Sequence, residues 1–113
     1  MGGGTASVGP EQAHELQRKG AVLLDVREHS EWSAGRAPNA IHIPLGQLPA
    51  KAGQLRPGAH VVTVCRSGRR SARAASMLTR QGYQVTNVRD GMTAWQAAGL
   101  PVVAGGGHPG RIA

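Results

Sequence analysis

Cys65, the only cysteine of the chain, carries the side chain best suited to covalent chemistry. The apolar and β-branched residues 61–64 precede it, and Arg66, Arg69 and Arg70 follow within five positions. A strand-like run before the cysteine and a helix-like pattern after it predict a loop ending at a helix N-terminus, where free N–H groups and the helix dipole favour a thiolate. The sequence therefore predicts a nucleophilic Cys65 whose pKa is lowered by the helix terminus and the guanidinium groups.

A buried and inert cysteine is the alternative interpretation, since free cysteine is among the most buried residue types. The charged neighbours argue against it, because arginines at a strand end are unfavourable to bury without partners. Gly68 also favours a functional loop, since a backbone that curls its N–H groups toward one sulfur needs torsions that glycine reaches most easily.

Strand-like and helix-like segments alternate on both sides of this loop. Apolar runs typical of buried parallel strands occupy four segments: 21–26, 40–44, 60–64 and 84–88. Helical patterns, weakest in the third, cover five segments: 10–20, 28–34, 45–54, 69–80 and 91–98. Asp90 is predicted as the N-cap of the last helix. The alternation predicts an α/β fold of three layers, with helices on both faces of a parallel sheet.

Functional sites in such open sheets form at the carboxyl ends of the strands. Residues 25–27 end one predicted strand, and residues 65–70 follow another. Both segments are therefore expected at the same edge of the sheet, with Asp25 and Arg27 close to Cys65.

The length of 113 residues favours a single domain, because two cores would each be close to the lower size limit for independent folding. Both ends are rich in glycine, which predicts flexible segments at 1–9 and 104–113 around a domain that spans 10–103. The size and the short loops are compatible with a monomer.

The charge and its distribution narrow the choice of partners. Thirteen Lys and Arg residues against six Asp and Glu residues give a net charge of +7. There is no long basic run and no interleaved aromatic side chain, which disfavours nucleic acid, while the arginines near Cys65 favour small anions. We expect no metal and no cofactor, because the histidines lack ligand spacing: His14, His29, His42, His60 and His108.

A single cysteine cannot form an intramolecular disulfide, so a reducing compartment is the simpler expectation. The start of the chain does not resemble a leader, and no run of about 18 apolar residues is present. We therefore expect a cytoplasmic protein that does not enter a membrane.

The stretch CRSGRRS resembles the active-site loop of the rhodanese family of sulfurtransferases. Four further stretches agree with that family in order: LLDVRE, EWSAGRAPNAIHIP, GYQVTNVRDGMTAW and AAGLPV. The resemblance covers about residues 10–103 and implies a five-stranded parallel sheet flanked by helices. Four departures lie outside the cysteine loop, where the family usually has His, Gly, Asn and a Gly–Gly pair: Arg36, Asn39, His42 and Asp90 with Gly91.

The resemblance also implies a reaction. In this family the loop cysteine takes the outer sulfur of a donor such as thiosulfate, releases sulfite and passes the sulfur from a persulfide to a thiol, cyanide or carrier-protein acceptor. Cys65 would be the catalytic residue, and the donor would bind to the loop residues Arg66, Ser67, Gly68, Arg69 and Arg70. Positive groups would offset the repulsion between a dianionic donor and a thiolate, and loop N–H groups would hold the terminal sulfur.

Supporting roles follow from the same resemblance. Arg70 resembles the arginine that shapes the family's loop, and Asp25 is its candidate carboxylate partner, while Arg27 and Ser71 are further supporting residues. We interpret Glu31 and His29 as helix-surface residues. Trp32 and Trp95 are interpreted as packing residues without aromatic partners.

Two other functions stay open. Related phosphatases and arsenate reductases have five residues between cysteine and arginine, whereas Cys65 and Arg70 enclose four, which predicts a tighter cradle suited to one sulfur. A non-catalytic rhodanese-like module for protein interaction or sulfur carriage is the second alternative, but such modules typically lack the cysteine. Thiosulfate, a cysteine-derived persulfide and a carrier-protein thiocarboxylate all stay open as donors.

Overall fold

Five parallel strands form the central sheet of the computed structural model, which describes residues 6–113. The strands are β1 (Ala6–Val8), β2 (Val22–Asp25), β3 (Ile41–His42), β4 (His60–Val64) and β5 (Gln84–Val88). Their order across the sheet is β1-β5-β4-β2-β3, and every neighbouring pair is parallel. The predicted five-stranded parallel sheet is confirmed.

Five α-helices connect the strands: α1 (Pro10–Arg18), α2 (His29–Ala34), α3 (Leu48–Lys51), α4 (Arg69–Arg80) and α5 (Gly91–Ala97). The predicted helix over 45–54 is instead split into α3 and two flanking 3-10 turns, Leu45–Gln47 and Ala52–Gln54. Pro49 explains the split. It lacks the N–H that would bond to Leu45 in a continuous helix, so an α-helix can begin only with this proline in its first turn.

The central strands separate two apolar cores. In β4, Val61 and the adjoining Cys65 face one core, whereas Val62 and Val64 face the other, as the two-residue period of a strand requires. Helix α4 covers the first core, and α1 and α5 cover the second, where Trp95 is fully buried. The helices on both faces confirm the predicted three-layer fold, and they hold the carboxyl end of β4 between them.

The N-terminal part differs from the predicted flexible segment. Residues 6–8 form the edge strand β1, which pairs with β5 from Ala6 opposite Thr86 to Val8 opposite Val88. Residues 1–5 lie outside the described part of the chain. This strand could not be predicted from the sequence, because three residues are too few to show a period and its pairing partners lie in a strand distant along the chain.

The C-terminal segment also differs from the prediction, because residues 104–113 fold back onto the domain. Val103 forms antiparallel bridges with Arg36 and Pro109, and Arg111 N–H donates to the Ala34 carbonyl at 3.1 Å. A Cβ on Gly35 would collide with the backbone of Arg111, so glycine permits this close approach. Within residues 6–113, no helix has the length and apolar character needed to cross a membrane.

Candidate functional site

Cys65 lies at the end of β4, three residues before the N-cap of α4, and it is 1% exposed. Two donors reach its sulfur directly. The Gly68 N–H donates to Sγ at 3.1 Å, and the Ser71 hydroxyl donates to Sγ at 3.3 Å. The first residues of α4 and the loop before it therefore surround the sulfur with donors, as the position before a helix N-terminus predicts.

These donors determine the ionisation of the thiol. Burial raises the pKa of Cys65, but hydrogen bonds from the Ser71 hydroxyl and from the N–H groups of Ser71, Gly68 and Ser67 outweigh it. The net effect is a pKa below the ordinary value for cysteine. This direction agrees with the prediction, although the principal cause is hydrogen bonding within the loop and not the arginines.

Polar residues of the neighbouring strands β4 and β5 fix the position of Gly68 through hydrogen bonds. This glycine is the N-cap of α4 and has a left-handed φ of 105°. Its carbonyl accepts from Asn87 Nδ2 at 3.3 Å and lies 3.2 Å from Ser71 Oγ, whose single proton it shares with Sγ, while Thr63 Oγ1 donates to Asn87 Oδ1 at 3.1 Å. These bonds restrict the orientation of Gly68, which is the residue whose N–H points at the sulfur.

Thr63 and Asn87 belong to the site but were not predicted from the sequence. Both are buried, and they occupy neighbouring strands β4 and β5 in register. The signal that could have found them is a polar side chain just before the last residue of each of two neighbouring central strands, since a buried polar group needs a hydrogen-bond partner.

The N-terminus of α5 holds the other side of the loop. Met92 N–H donates to the Cys65 carbonyl at 2.7 Å, and the N–H and hydroxyl of Thr93 both donate to the Arg66 carbonyl at 3.0 Å. Gly91 has a φ of 54°, and a Cβ there would collide with the Cys65 carbonyl oxygen. Asp90 takes the predicted N-cap position, but its side chain makes no capping hydrogen bond.

Arg70 forms a bidentate ion pair with Glu31 of α2. Its Nη1 and Nη2 atoms lie 2.7 and 2.9 Å from the two carboxylate oxygens of Glu31. The hydrogen bond from Arg70 lowers the pKa of Glu31 to about 2, against the opposing effect of burial, and the Glu28 N–H adds to the lowering. The same ion pair raises the pKa of Arg70.

The predicted pairing of Asp25 with Arg70 is wrong. Asp25 is buried and binds Arg27, with Nη2–Oδ2 at 2.7 Å and Nε–Oδ1 at 2.9 Å. Asp25 and Arg27 are two residues apart in an extended segment, so their side chains point to the same face of the sheet. Each buried charge needs a close partner of opposite sign. The interpretation of Glu31 as a simple surface residue is wrong as well, since it is the partner of Arg70.

The buried pair supports the site indirectly. Arg27 Nη2 donates to the Gly35 carbonyl at 2.6 Å, and Nη1 donates to the Glu31 carbonyl at 3.4 Å. Asp25 and Arg27 therefore hold α2, and α2 presents Glu31 to Arg70. Neither Asp25 nor Arg27 has a hydrogen bond to Cys65 within the described residues.

The two other loop arginines are exposed. Arg66 Nε donates to the backbone oxygen of Ala113 at 2.8 Å, so the returning C-terminal segment contacts the loop. Arg69 lies in the first turn of α4 and forms no ion pair with residues 6–113. The Arg69 guanidinium is thus open to an anion that approaches from solvent, whereas that of Arg66 is exposed but bonded to Ala113 through Nε.

Two of the departures from the family pattern pack together around Trp32. Its ring stacks on His42 with centroids 4.6 Å apart, and the Arg36 guanidinium lies 4.7 Å from the ring centroid. Trp32 therefore has an aromatic partner, contrary to the expectation from sequence. His42 Nε2 also lies 2.7 Å from the Arg27 carbonyl, which connects this cluster to the end of β2.

No three His, Cys, Asp or Glu side chains converge as metal ligands among residues 6–113. The donors around Sγ are N–H and O–H groups, which suit an anion. Fold and loop together define a class of α/β protein with a cysteine surrounded by N–H and O–H donors at the carboxyl edge of a parallel sheet.

The chain belongs to the rhodanese-like domain family, which it matches over residues 9–98. A sulfurtransferase from Allochromatium vinosum is 39% identical over 84 residues, which are 74% of this chain and 78% of that protein. The thiosulfate sulfurtransferase GlpE of Pseudomonas savastanoi is 36% identical over 92 residues, which are 78% of this chain and 84% of that protein. The crystal structure of a rhodanese-related protein from Thermoplasma volcanium, 33% identical, superposes with a TM-score of 0.81 and covers 87% of this chain and 97% of its own. The predicted family and fold are confirmed.

Proposed function

We propose that this protein is a sulfurtransferase that carries a sulfane sulfur as a persulfide on Cys65. The observation that carries the proposal is the convergence of the Gly68 N–H and the Ser71 hydroxyl on Sγ, in a loop with only four residues between cysteine and arginine. The sulfurtransferase names of relatives that match most of the chain support the same reaction class.

In the first half-reaction, the Cys65 thiolate attacks the outer sulfur of the donor. With thiosulfate, the new Sγ–S bond forms as the sulfur–sulfur bond of the donor breaks, and sulfite leaves with the electron pair. The exposed Arg66 and Arg69 offset the repulsion between a dianion and a thiolate. Thiosulfate is favoured as one donor because the Pseudomonas relative is named for it.

In the second half-reaction, a nucleophile attacks the outer sulfur of the persulfide. A thiolate or cyanide forms a bond to that sulfur, the Sγ–S bond breaks, and its electron pair returns to Cys65 as thiolate. Loop donors that stabilise this thiolate make it a better leaving group. The chemistry needs a reduced Cys65, and we propose a reducing compartment as its place of action.

Intact-protein mass spectrometry tests the proposal. Thiosulfate should add about 32 mass units, one sulfur, to the reduced protein, and Cys65→Ser should gain none. Cyanide should then restore the original mass and release thiocyanate. An unchanged mass after excess thiosulfate and excess cysteine persulfide would contradict the proposal, as would sulfur transfer by Cys65→Ser.

Two further assays on the wild type and Cys65→Ser test the alternative functions, a phosphatase and a non-catalytic interaction module. Turnover of p-nitrophenyl phosphate that disappears in Cys65→Ser would favour a phosphatase. Absence of any persulfide, together with partner binding that is unchanged in Cys65→Ser, would favour a non-catalytic interaction module.

A further inference from the structure

Helix α4, which begins at the cysteine loop, has an unusually one-sided charge. It carries four arginines and none of the chain's six acidic residues. Arg70 is paired with Glu31, but the other three are exposed and form no ion pair with residues 6–113: Arg69, Arg73 and Arg80. A positive helix face therefore runs away from the loop.

A groove of about 430 Å³ accompanies this face, between α4 and the 3-10 turn Leu45–Gln47. Leu45 and Met77 line it, and both are half-buried against the first core. Arg73 and Arg80 line its exposed sides. The groove thus combines an apolar floor with a cation toward each end.

The dimensions of the helix relate this groove to the site. At 1.5 Å per residue, Arg73 lies about 6 Å along the axis from the start of α4, and Arg80 lies about 10 Å beyond Arg73. The Leu45 N–H donates to the Val26 carbonyl, just past the carboxyl end of β2, so the turn belongs to the same edge of the sheet as Cys65. A molecule that fills the groove and continues past Arg73 toward the start of α4 would reach the cysteine loop.

We propose that this groove docks an acidic protein segment, which presents an apolar side chain between two carboxylates and brings a partner protein's sulfur donor or acceptor group to Cys65. This inference rests on the proposed sulfurtransferase function and specifies the class of partner. A small dianion does not fit the groove as well, because two cations about 10 Å apart cannot both contact it. A nucleic acid would find no aromatic stacking partner among the residues that line it.

A pair of synthetic peptides tests the inference. Each has one cysteine as sulfur acceptor and one leucine, which is flanked by glutamates in the first peptide and by glutamines in the second. With the Cys65 persulfide as donor, we expect kcat/KM about tenfold higher for the acidic peptide at low salt, with the difference falling as salt screens the charges. Equal values for the two peptides at low salt would overturn the inference.

Matched charge reversals separate docking from general attraction. Arg73→Glu should abolish the preference for the acidic peptide. Lys19→Glu changes the net charge equally, but it lies at the end of α1, which covers the opposite face of the sheet, so it should preserve the preference. Transfer to 2-mercaptoethanol, a small neutral thiol, should be the same in both variants. An equal loss of preference in both variants would show that only the overall charge matters.

The apolar floor has its own test. Met77→Gln should weaken binding of the acidic leucine peptide, but it should have little effect on an acidic peptide with serine in place of leucine. Fluorescence anisotropy of labelled peptides on the reduced protein measures this without any sulfur transfer, so failure of the proposed reaction and failure of docking are distinguishable. Tighter binding of a single-stranded RNA than of the acidic peptide would overturn the inference in favour of a nucleic-acid surface.

Discussion

The Sγ atom of Cys65 accepts hydrogen bonds from Gly68 N–H and Ser71 Oγ, and each of them stabilises the thiolate relative to the thiol. Gly68 is in turn anchored by Asn87, whose amide oxygen accepts from Thr63. The reactivity proposed for the cysteine therefore depends on a buried side chain that does not touch the sulfur. Asn87 is a positioning residue, and its effect should be visible in the ionisation of Cys65.

Asn87→Leu, which removes both hydrogen bonds at similar volume, should slow alkylation of Cys65 by iodoacetamide at pH 7 by up to about tenfold, since about 1.4 kcal/mol of lost thiolate stabilisation corresponds to that factor. The midpoint of the alkylation pH profile should move upward. Thr86→Val is the control, because Thr86 precedes Asn87 in the middle of β5, points to the opposite face of the sheet and loses only its bond to His60. It should leave the pH profile unchanged. An unchanged profile in Asn87→Leu would show that Asn87 does not position the loop donors.

Among the secondary-structure elements, three helices hold the cysteine loop. The loop is continuous with α4, the N-terminus of α5 binds its carbonyls, and Glu31 of α2 binds Arg70 at its end. This arrangement explains how a short loop keeps its N–H groups directed at one atom, because the carbonyls of Cys65, Arg66 and Gly68 find donors on neighbouring elements.

Gly91→Ala should displace the loop, because the added Cβ would collide with the Cys65 carbonyl. We expect a loss of about 2 kcal/mol or more in the free energy of unfolding and a large loss of persulfide formation per folded molecule. Gly99→Ala is the matched control, since Gly99 also has a positive φ, 78°, but nothing lies within 4 Å of its added Cβ. It should lower stability by about 1 kcal/mol without affecting persulfide formation. Equal activity in the two variants would argue against the contact with α5.

Glu31→Gln should reduce the acid sensitivity of the fold. The pKa of Glu31 is lowered from 4.5 to about 2, so the stability that its charge contributes is complete above about pH 4.5 and is lost as the pH falls through 2. The free energy of unfolding, measured in urea from pH 5 to pH 2, should therefore decline less steeply in Glu31→Gln than in the wild type. Glu15→Gln, in an exposed pair with Arg18, should retain the wild-type slope. A wild-type slope in Glu31→Gln would contradict the ion pair.

For the whole molecule, the placement of the positive charge matters more than the net value. The net charge is +7, and three of the arginines that contribute to it lie in the cysteine loop or directly after it, at the carboxyl edge of the sheet. Such a concentration attracts anions toward one edge, and the attraction is screened beyond a Debye length of about 8 to 10 Å at physiological salt.

Arg69→Ala should raise the KM for thiosulfate several-fold and weaken its dependence on ionic strength, while the reaction within the bound complex changes less. Arg56→Ala removes the same charge from an exposed position before β4, at the amino-terminal edge of the sheet, and should leave KM unchanged. Steady-state thiocyanate formation measures both parameters. Equal effects of the two substitutions would mean that Arg69 acts only through the net charge.

Local patterns were sufficient for much of this molecule. The bounds of β4, β5 and α4 agree with the sequence to the residue, because an apolar run or a 3.6-residue period is visible in five to twelve consecutive residues. The position of Cys65 between a strand and a helix follows from these elements alone. The three-residue strand β1 and the returning segment 104–113 gave no such period, and their partners are residues 86–88, 34 and 36.

The sequence by itself thus determined the parallel sheet, the cysteine loop at its carboxyl edge and the thiolate-favouring helix terminus, since each depends on neighbours along the chain. Only the tertiary structure decided which carboxylate meets which arginine. Asp25 and Glu31 both lie near Arg27 in the sequence and far from Arg70, and which of them meets Arg70 depends on where α2 packs. The pairing of Thr63 with Asn87, 24 residues apart, likewise requires the register of two strands, which no local pattern encodes.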